Sequence, residues 1–189
     1  MRYKPEQKKE TRRKILAAAG RSFKSCGYSG IGIDGLAKEA GVTSGAFYGH
    51  FKSKEEAFKQ AIISELGDLD SAITTLKQAH GDKWWDEFAT IYTTLKCTSP
   101  LSESCALQSL TPEVGRSDDA IREIFQSELL KIVTNASNHD NDDKTWASLA
   151  MLVGGVTLAR AVKDNKISSK ITAAIRHEVS LIQTPKEGK

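Results

Sequence analysis

The amino-acid sequence predicts an all-α protein. Three observations predict it. Apolar residues recur at three- and four-residue intervals in segment after segment, the spacing that lines one face of a helix. No stretch alternates polar and apolar with period two over a useful length, so no strand is expected. Glycines and hydroxyl residues stand where the periodic segments begin and end.

The first helix is expected from Glu6 to Cys26, with Ile15, Leu16, Ala19 and Phe23 on one face and Gly27 as its stop. A shorter one, from Ile33 to Ala40, groups Ile33, Leu36, Ala37 and Ala40. Gly41-Val42-Thr43 then turns the chain into a third, short helix reaching Phe51. Ser53-Lys54-Glu55-Glu56 has the S-x-x-E form of a capping box, in which a hydroxyl and a carboxylate satisfy free backbone N–H groups. It opens a long helix with Phe58, Ile62, Leu66, Leu69, Ile73 and Leu76 at helical spacing. Beyond Gly81, Lys83 to Lys96 carries Trp84, Trp85, Phe88, Ile91, Tyr92 and Leu95. Cys97 to Arg116, with Pro100 and Pro112, reads as a looser stretch around a short apolar piece. Ser117-Asp118-Asp119 caps a helix bearing Ile121, Ile124, Phe125, Leu129, Ile132 and Val133. NASNHDND, residues 135–142, reads as a polar turn, and two last helices are expected from Asp143 to Val162 and from Ser168 to Ile182.

At 189 residues, with 39% apolar and 27% charged side chains, the chain has enough material for a buried core without metal or disulfide support. No run approaches the roughly 18 consecutive apolar residues of a membrane span. The basic start MRYKPEQKKETRRKIL lacks the apolar core of a secretory signal, so the expectation is a cytoplasmic protein. Cys26, Cys97 and Cys105 form no CxxC pair, and His50, His80, His139 and His177 are scattered without an HExxH. A disulfide framework and a metal site are therefore not expected. The sequence holds no nucleophile elbow, glycine-rich phosphate loop or convincing triad, so neither an enzyme nor a cofactor is expected. The net charge of +3 conceals an asymmetry: residues 1–60 hold 13 Lys and Arg against 6 Asp and Glu, the remainder 14 against 18. A basic head on an acidic body suits a polyanion at the head.

GVTSGAFYGHFKSK, residues 41–54, brings the charge and the fold together. Helix, glycine-containing turn and short helix is the helix-turn-helix arrangement, whose second helix enters the DNA major groove. Val42 and Phe47 are expected to pack inward, leaving Thr43, Ser44 and Ala46 outward near the start of the second helix. Small side chains there let the backbone approach base edges, where hydroxyls hydrogen-bond and a methyl meets thymine. Tyr48, His50, Lys52 and Lys54 offer groups suited to phosphate oxygens, as do Arg12 and Arg13 on the first helix.

The stretch from Arg13 to Ile62 resembles the N-terminal domain of TetR-family (TetR/AcrR type) transcriptional regulators. AGV-x-x-G-x-x-Y-x-HF-x-SKEE, from Ala40 to Glu56, carries most of the likeness. The resemblance implies a three-helix DNA-binding head followed by a helical-bundle body for ligand binding and dimerisation. Drawn on the sequence, these are residues 1–52 and 53–189. It also implies Thr43, Ser44 and Ala46 as base-reading positions, with Tyr48, His50 and Lys54 as phosphate contacts. The chain departs from the family at Ile31-Gly32, where Thr or Ser usually precedes the second helix. The expected function is a repressor that binds a palindromic operator in double-stranded DNA as a homodimer and lets go when a small molecule acts on the body.

A single head buries little surface, so dimerisation is physically expected, through the last two helices. TWASLAMLVGGVTLARAV, residues 145–162, is apolar around more than half its circumference, and Gly154-Gly155 permits close helix approach. Trp84, Trp85, Phe88, Tyr92, Phe125 and Met151 are the residues expected to line a pocket for the unidentified effector. The segment SCALQSLTPEV resembles one that carries a sensor thiol in some family members, which makes Cys105 the candidate; Cys26 and Cys97 read as packing residues. The alternative from another class is a helical interaction module whose basic head docks an acidic protein.

Overall fold

Nine α-helices and two single 3-10 turns make up the regular structure of the described residues, with no strand among them. The computed structural model describes residues 5–137 and 142–184. Residues 138–141, which include His139 and the middle of the expected polar turn, lie outside it, as do the first four and last five positions.

Two compact units emerge. The first, Met1–Glu65 and Pro100–Gln126, takes in α1 (Pro5–Cys26), α2 (Ile33–Glu39), α3 (Ser44–Tyr48) and the start of α4 (Lys54–His80). Its core is the apolar face of α1, where Ile15 and Phe23 lie with Leu36, Phe47, Phe51, Phe58 and Ile62, all 1% exposed or less. Phe23 meets Phe58 edge-on at 5.0 Å. The stretch expected to be loose holds a 3-10 turn at Leu101–Glu103 and a nine-residue helix, α6 (Ala106–Val114), with Leu107, Leu110 and Val114 buried. Pro112 lies inside that helix and argues against it in the sequence, since proline cannot donate to the carbonyl four residues back. Burial of three apolar residues outweighs the missing bond. Cys26, expected to pack, is exposed at the last position of α1.

The second unit, Leu66–Ser99 and Ser127–Lys189, contains the rest of α4, α5 (Trp84–Thr98), most of α7 (Asp119–Ala136), α8 (Asp142–Ala161) and α9 (Asn165–Gln183). Arg160 on α8 closes the end of α5: its Nη1 donates to the carbonyl oxygens of Lys96, Cys97 and Ser99 at 2.7, 3.2 and 2.9 Å. Helix carbonyls lacking internal partners are satisfied by one guanidinium. The two glycines of α8 differ. A Cβ on Gly155 would stand 1.8 Å from Ile175 Cδ1, so this glycine serves the close approach of α9 within the chain. Gly154 is exposed with open space beside it. Among the described residues, no helix is long and apolar enough to cross a membrane.

Candidate nucleic-acid interface

The turn between α2 and α3 is built by backbone chemistry that the sequence encodes residue by residue. Gly41 adopts φ +68°, a conformation that glycine alone takes without steric cost. The N–H of Val42 bonds the carbonyl of Ala37 at 2.9 Å and that of Gly41 bonds Lys38 at 3.0 Å, the paired arrangement that ends a helix with a left-handed residue. Two residues on, Thr43 caps the next helix: its Oγ1 accepts from the Ala46 N–H at 3.1 Å. At the start of α2, by contrast, Gly32 is the cap and supplies no side-chain bond.

Helix α3 buries one side chain, Phe47. Thr43, Gly45 and Tyr48 are exposed, Tyr48 by 56%, and Ser44, Ala46 and His50 are half-buried. The short third helix stops at Tyr48 rather than Phe51, but the chain keeps turning, with Phe51 N–H bonded to the Phe47 carbonyl at 3.0 Å. Ser53 Oγ then accepts the Glu56 N–H at 3.0 Å to start α4, while Glu56 takes the Lys52 N–H at 2.7 Å. The hydroxyl–carboxylate exchange expected there reaches back one residue further than the standard box.

Between the first turns of α1 and the face of α3 runs a cleft of about 590 Å³, lined by Gln7, Lys8, Thr11, Gly41, Val42, Thr43, Ala46, Gly49 and His50. It brings together three residues expected to contact DNA (Thr43, Ala46 and His50) and the half-buried Val42, expected to pack inward, with Gln7, Lys8 and Thr11, which were not among the expected contacts. The signal for Lys8 and Thr11 was present, since residues three apart share a helix face. The His50 Nδ1 is buried without a protein partner. Burial, followed by the charges of Lys8 and Arg12, holds the imidazole below its usual pKa.

The other expected contacts are less free than spacing implies. Arg12 lies with its guanidinium 4.5 Å from the Phe51 ring centre and donates to Gln60 Oε1 at 3.5 Å. Arg13 is exposed and forked onto Glu10 at 3.1 Å. The Lys54 ammonium sits 4.3 Å from the Tyr28 ring centre, and Lys52 is exposed. Ser44 donates to Asp34 Oδ1 at 2.5 Å.

In the second unit, Trp84, Trp85, Phe88 and Tyr92 form a continuous buried aromatic run along α5, with Trp84 and Trp85 rings 4.4 Å apart. Met151 on α8 is half-buried, and Phe125 belongs to the first unit. Both indole nitrogens of Trp84 and Trp85 are buried without a protein acceptor. Cys105 is buried at the cap position of α6, at 6% exposure. Among the described residues, no cluster of metal-ligating side chains occurs.

Residues 15–61 match the family model described as bacterial regulatory proteins, tetR family. Over 68 residues the chain is 42% identical to the HTH-type transcriptional regulator AcrR of Shigella flexneri, covering 34% of this chain and 32% of that protein. It is 34% identical over 73 residues to the transposon Tn10 TetC protein of Escherichia coli, covering 39% and 37%. The chain thus spans about a third of the length of these curated relatives. Solved structures extend the likeness in fold. A TetR-family regulator from Cytophaga hutchinsonii aligns with TM-score 0.74 at 20% identity, over 98% of this chain and 100% of that one. The reduced form of NemR from E. coli aligns with TM-score 0.73 at 19% identity, over 89% and 96%. The helix-turn-helix is formed by residues within the segment that matches the tetR family of bacterial regulatory proteins.

Proposed function

We propose that the chain is a sequence-specific DNA-binding repressor that reads a palindromic operator as a homodimer and is released by a small molecule. Residues 1–52 serve as the reading head and 53–189 as the regulatory body. The observation that carries the reading is the division of α3: Phe47 alone is buried, while hydroxyls, a glycine and an alanine occupy the rest of the helix beside a cleft lined by Lys8, Thr11 and His50. Such a surface suits base edges under α3 and a backbone phosphate in the cleft, held by Lys8, Thr11 and His50.

The dimer reading draws on α8 and α9, where Leu158 is 62% and Leu181 58% exposed. Large apolar side chains exposed on the final helices suit burial against a second copy. For the effector, the buried indole N–H groups of Trp84 and Trp85 favour a ligand with an acceptor oxygen, since buried donors are normally paired. Such a ligand weakens DNA binding by its preference for a body conformation that holds the two heads wrongly spaced. A thiol-reactive signal at Cys105 is the less supported route, because a sensor thiol needs access and this one is closed off.

Selection from a random duplex pool with the full chain tests the reading. A palindrome is expected, with half-sites about one helical turn apart, roughly 34 Å, and preference over random duplex of about a thousandfold or more. A bound pool without consensus points instead to a head that docks an acidic protein.

Acid is expected to strengthen this binding. In the free protein His50 is held below its ordinary value of 6.5, so it is neutral at pH 7. A phosphate in the cleft favours the imidazolium, so binding takes up a proton and affinity rises as pH falls toward the depressed value of the free protein. Folding runs the other way: with the folded pKa depressed, the stability His50 contributes is complete above 6.5 and is lost as pH falls through the folded value. Operator titrations from pH 8 to 5.5 should show the rise, and His50→Gln should flatten it. An unchanged slope in that variant removes His50 from the contact.

A further inference from the structure

Ser44 opens the recognition helix, but its hydroxyl is committed. Its Oγ lies 2.5 Å from Asp34 Oδ1, and a carboxylate only accepts, so the single Ser44 proton points to Asp34. What Ser44 retains is lone pairs. Thr43 beside it has the opposite sense: its Oγ1 already accepts from Ala46 N–H, leaving its own proton to give outward. Two adjacent hydroxyls that look interchangeable in the sequence thereby differ: Ser44 can only accept, whereas Thr43 keeps its proton to give.

Asp34 is exposed, at the second position of α2. A negative charge on that edge is repelled by phosphate and lowers affinity for every duplex alike. Its presence is explained if it contributes to choice of sequence. Bases divide on this point in the major groove: adenine and cytosine present an amino group, guanine and thymine a keto oxygen. A carboxylate paired to an acceptor-only hydroxyl attracts the first pair and repels the second.

We propose that Asp34 is a positioning residue for Ser44 and that the pair restricts one base of each half-site to adenine or cytosine. This rests on the DNA-binding reading above. A plain staple between α2 and α3 would contribute to stability and leave base preference alone, which makes preference the deciding readout.

The experiment is duplex selection followed by operator titration with each base substituted, using the full chain and its Asp34→Ala, Asp34→Asn and Ser44→Ala variants. The unmodified protein should show one position per half-site limited to adenine or cytosine, with guanine and thymine disfavoured about tenfold or more, the scale of one mismatched contact. Asp34→Ala frees the Ser44 proton to rotate outward, so discrimination should collapse at that position and no other. Ser44→Ala should relax the same position. Asp34→Asn keeps an oxygen for the Ser44 proton while removing the charge. It should retain the restriction and bind all duplexes more tightly by one common factor. Since Asp34 is exposed, melting temperature should barely move, and circular dichroism verifies this for each variant. Unchanged discrimination in Asp34→Ala, or relaxation at a position different from that in Ser44→Ala, overturns the proposal. Should the unmodified protein select no palindrome, the DNA-binding reading itself fails.

Discussion

Phe47→Ala is expected to cost about 3–5 kcal/mol and to abolish operator binding, the scale for emptying a fully buried aromatic site. The reason lies in how little else holds α3. Five residues cannot form a helix unaided, because nucleation fixes several residues for a single hydrogen bond. The helix exists through its caps and through Phe47, which is wholly buried, meets Phe51 at 5.6 Å and stands edge-on to Tyr48 at 6.0 Å. Removing the ring leaves a cavity beneath the turn and releases the surface proposed to read DNA. Tyr48→Ala is the informative contrast. Its ring is mostly exposed, so denaturation should stay within about 0.5 kcal/mol of the parent while operator affinity drops. Urea denaturation with a duplex titration of both variants separates the two effects. If Phe47→Ala melts like the parent, α3 is held by something other than the packing described here.

The head was legible in the sequence because its signals are local. Gly41, Thr43 and Ser53 each answer to a backbone requirement within a few residues: a positive φ, a helix cap, a second helix cap. Phe47 inward with Thr43 outward follows from helical spacing alone. Signals depending on distant partners were not legible. No periodicity reports that Asp34 reaches Ser44 ten positions away, or that Arg12 stacks on Phe51 rather than standing free. Helix α6 was obscured by Pro112, a local warning overridden by burial. The grouping of Pro100–Gln126 with the first unit likewise depends on long-range packing. For Cys26, its place at the end of α1 decided exposure against the usual preference of free cysteine for the interior.

Glu65→Ala is the second large effect expected, a loss of about 3–5 kcal/mol, and its cause is the partner left behind. Lys24 Nζ and Glu65 Oε2 stand 2.7 Å apart, joining α1 to α4, with side-chain exposures of only 7% and 22%. Gly20 lies against the same carboxylate: a Cβ there would fall 2.4 Å from Glu65 Oε1, so the absent side chain leaves room for the pair to close. Deleting the carboxylate strands an ammonium with little water to receive it. Deleting both charges should not carry that cost. Lys24→Met combined with Glu65→Leu keeps volume and removes the stranded ion, and replacement of a buried pair by apolar groups is often neutral or favourable. The double variant is therefore expected to recover most of the stability lost in Glu65→Ala, by urea denaturation at pH 7. If Glu65→Ala costs less than about 1 kcal/mol, the pair behaves as an exposed one, screened by solvent. If the double variant is as unstable as the single, the harm comes from lost shape around Gly20 rather than from an unpaired charge.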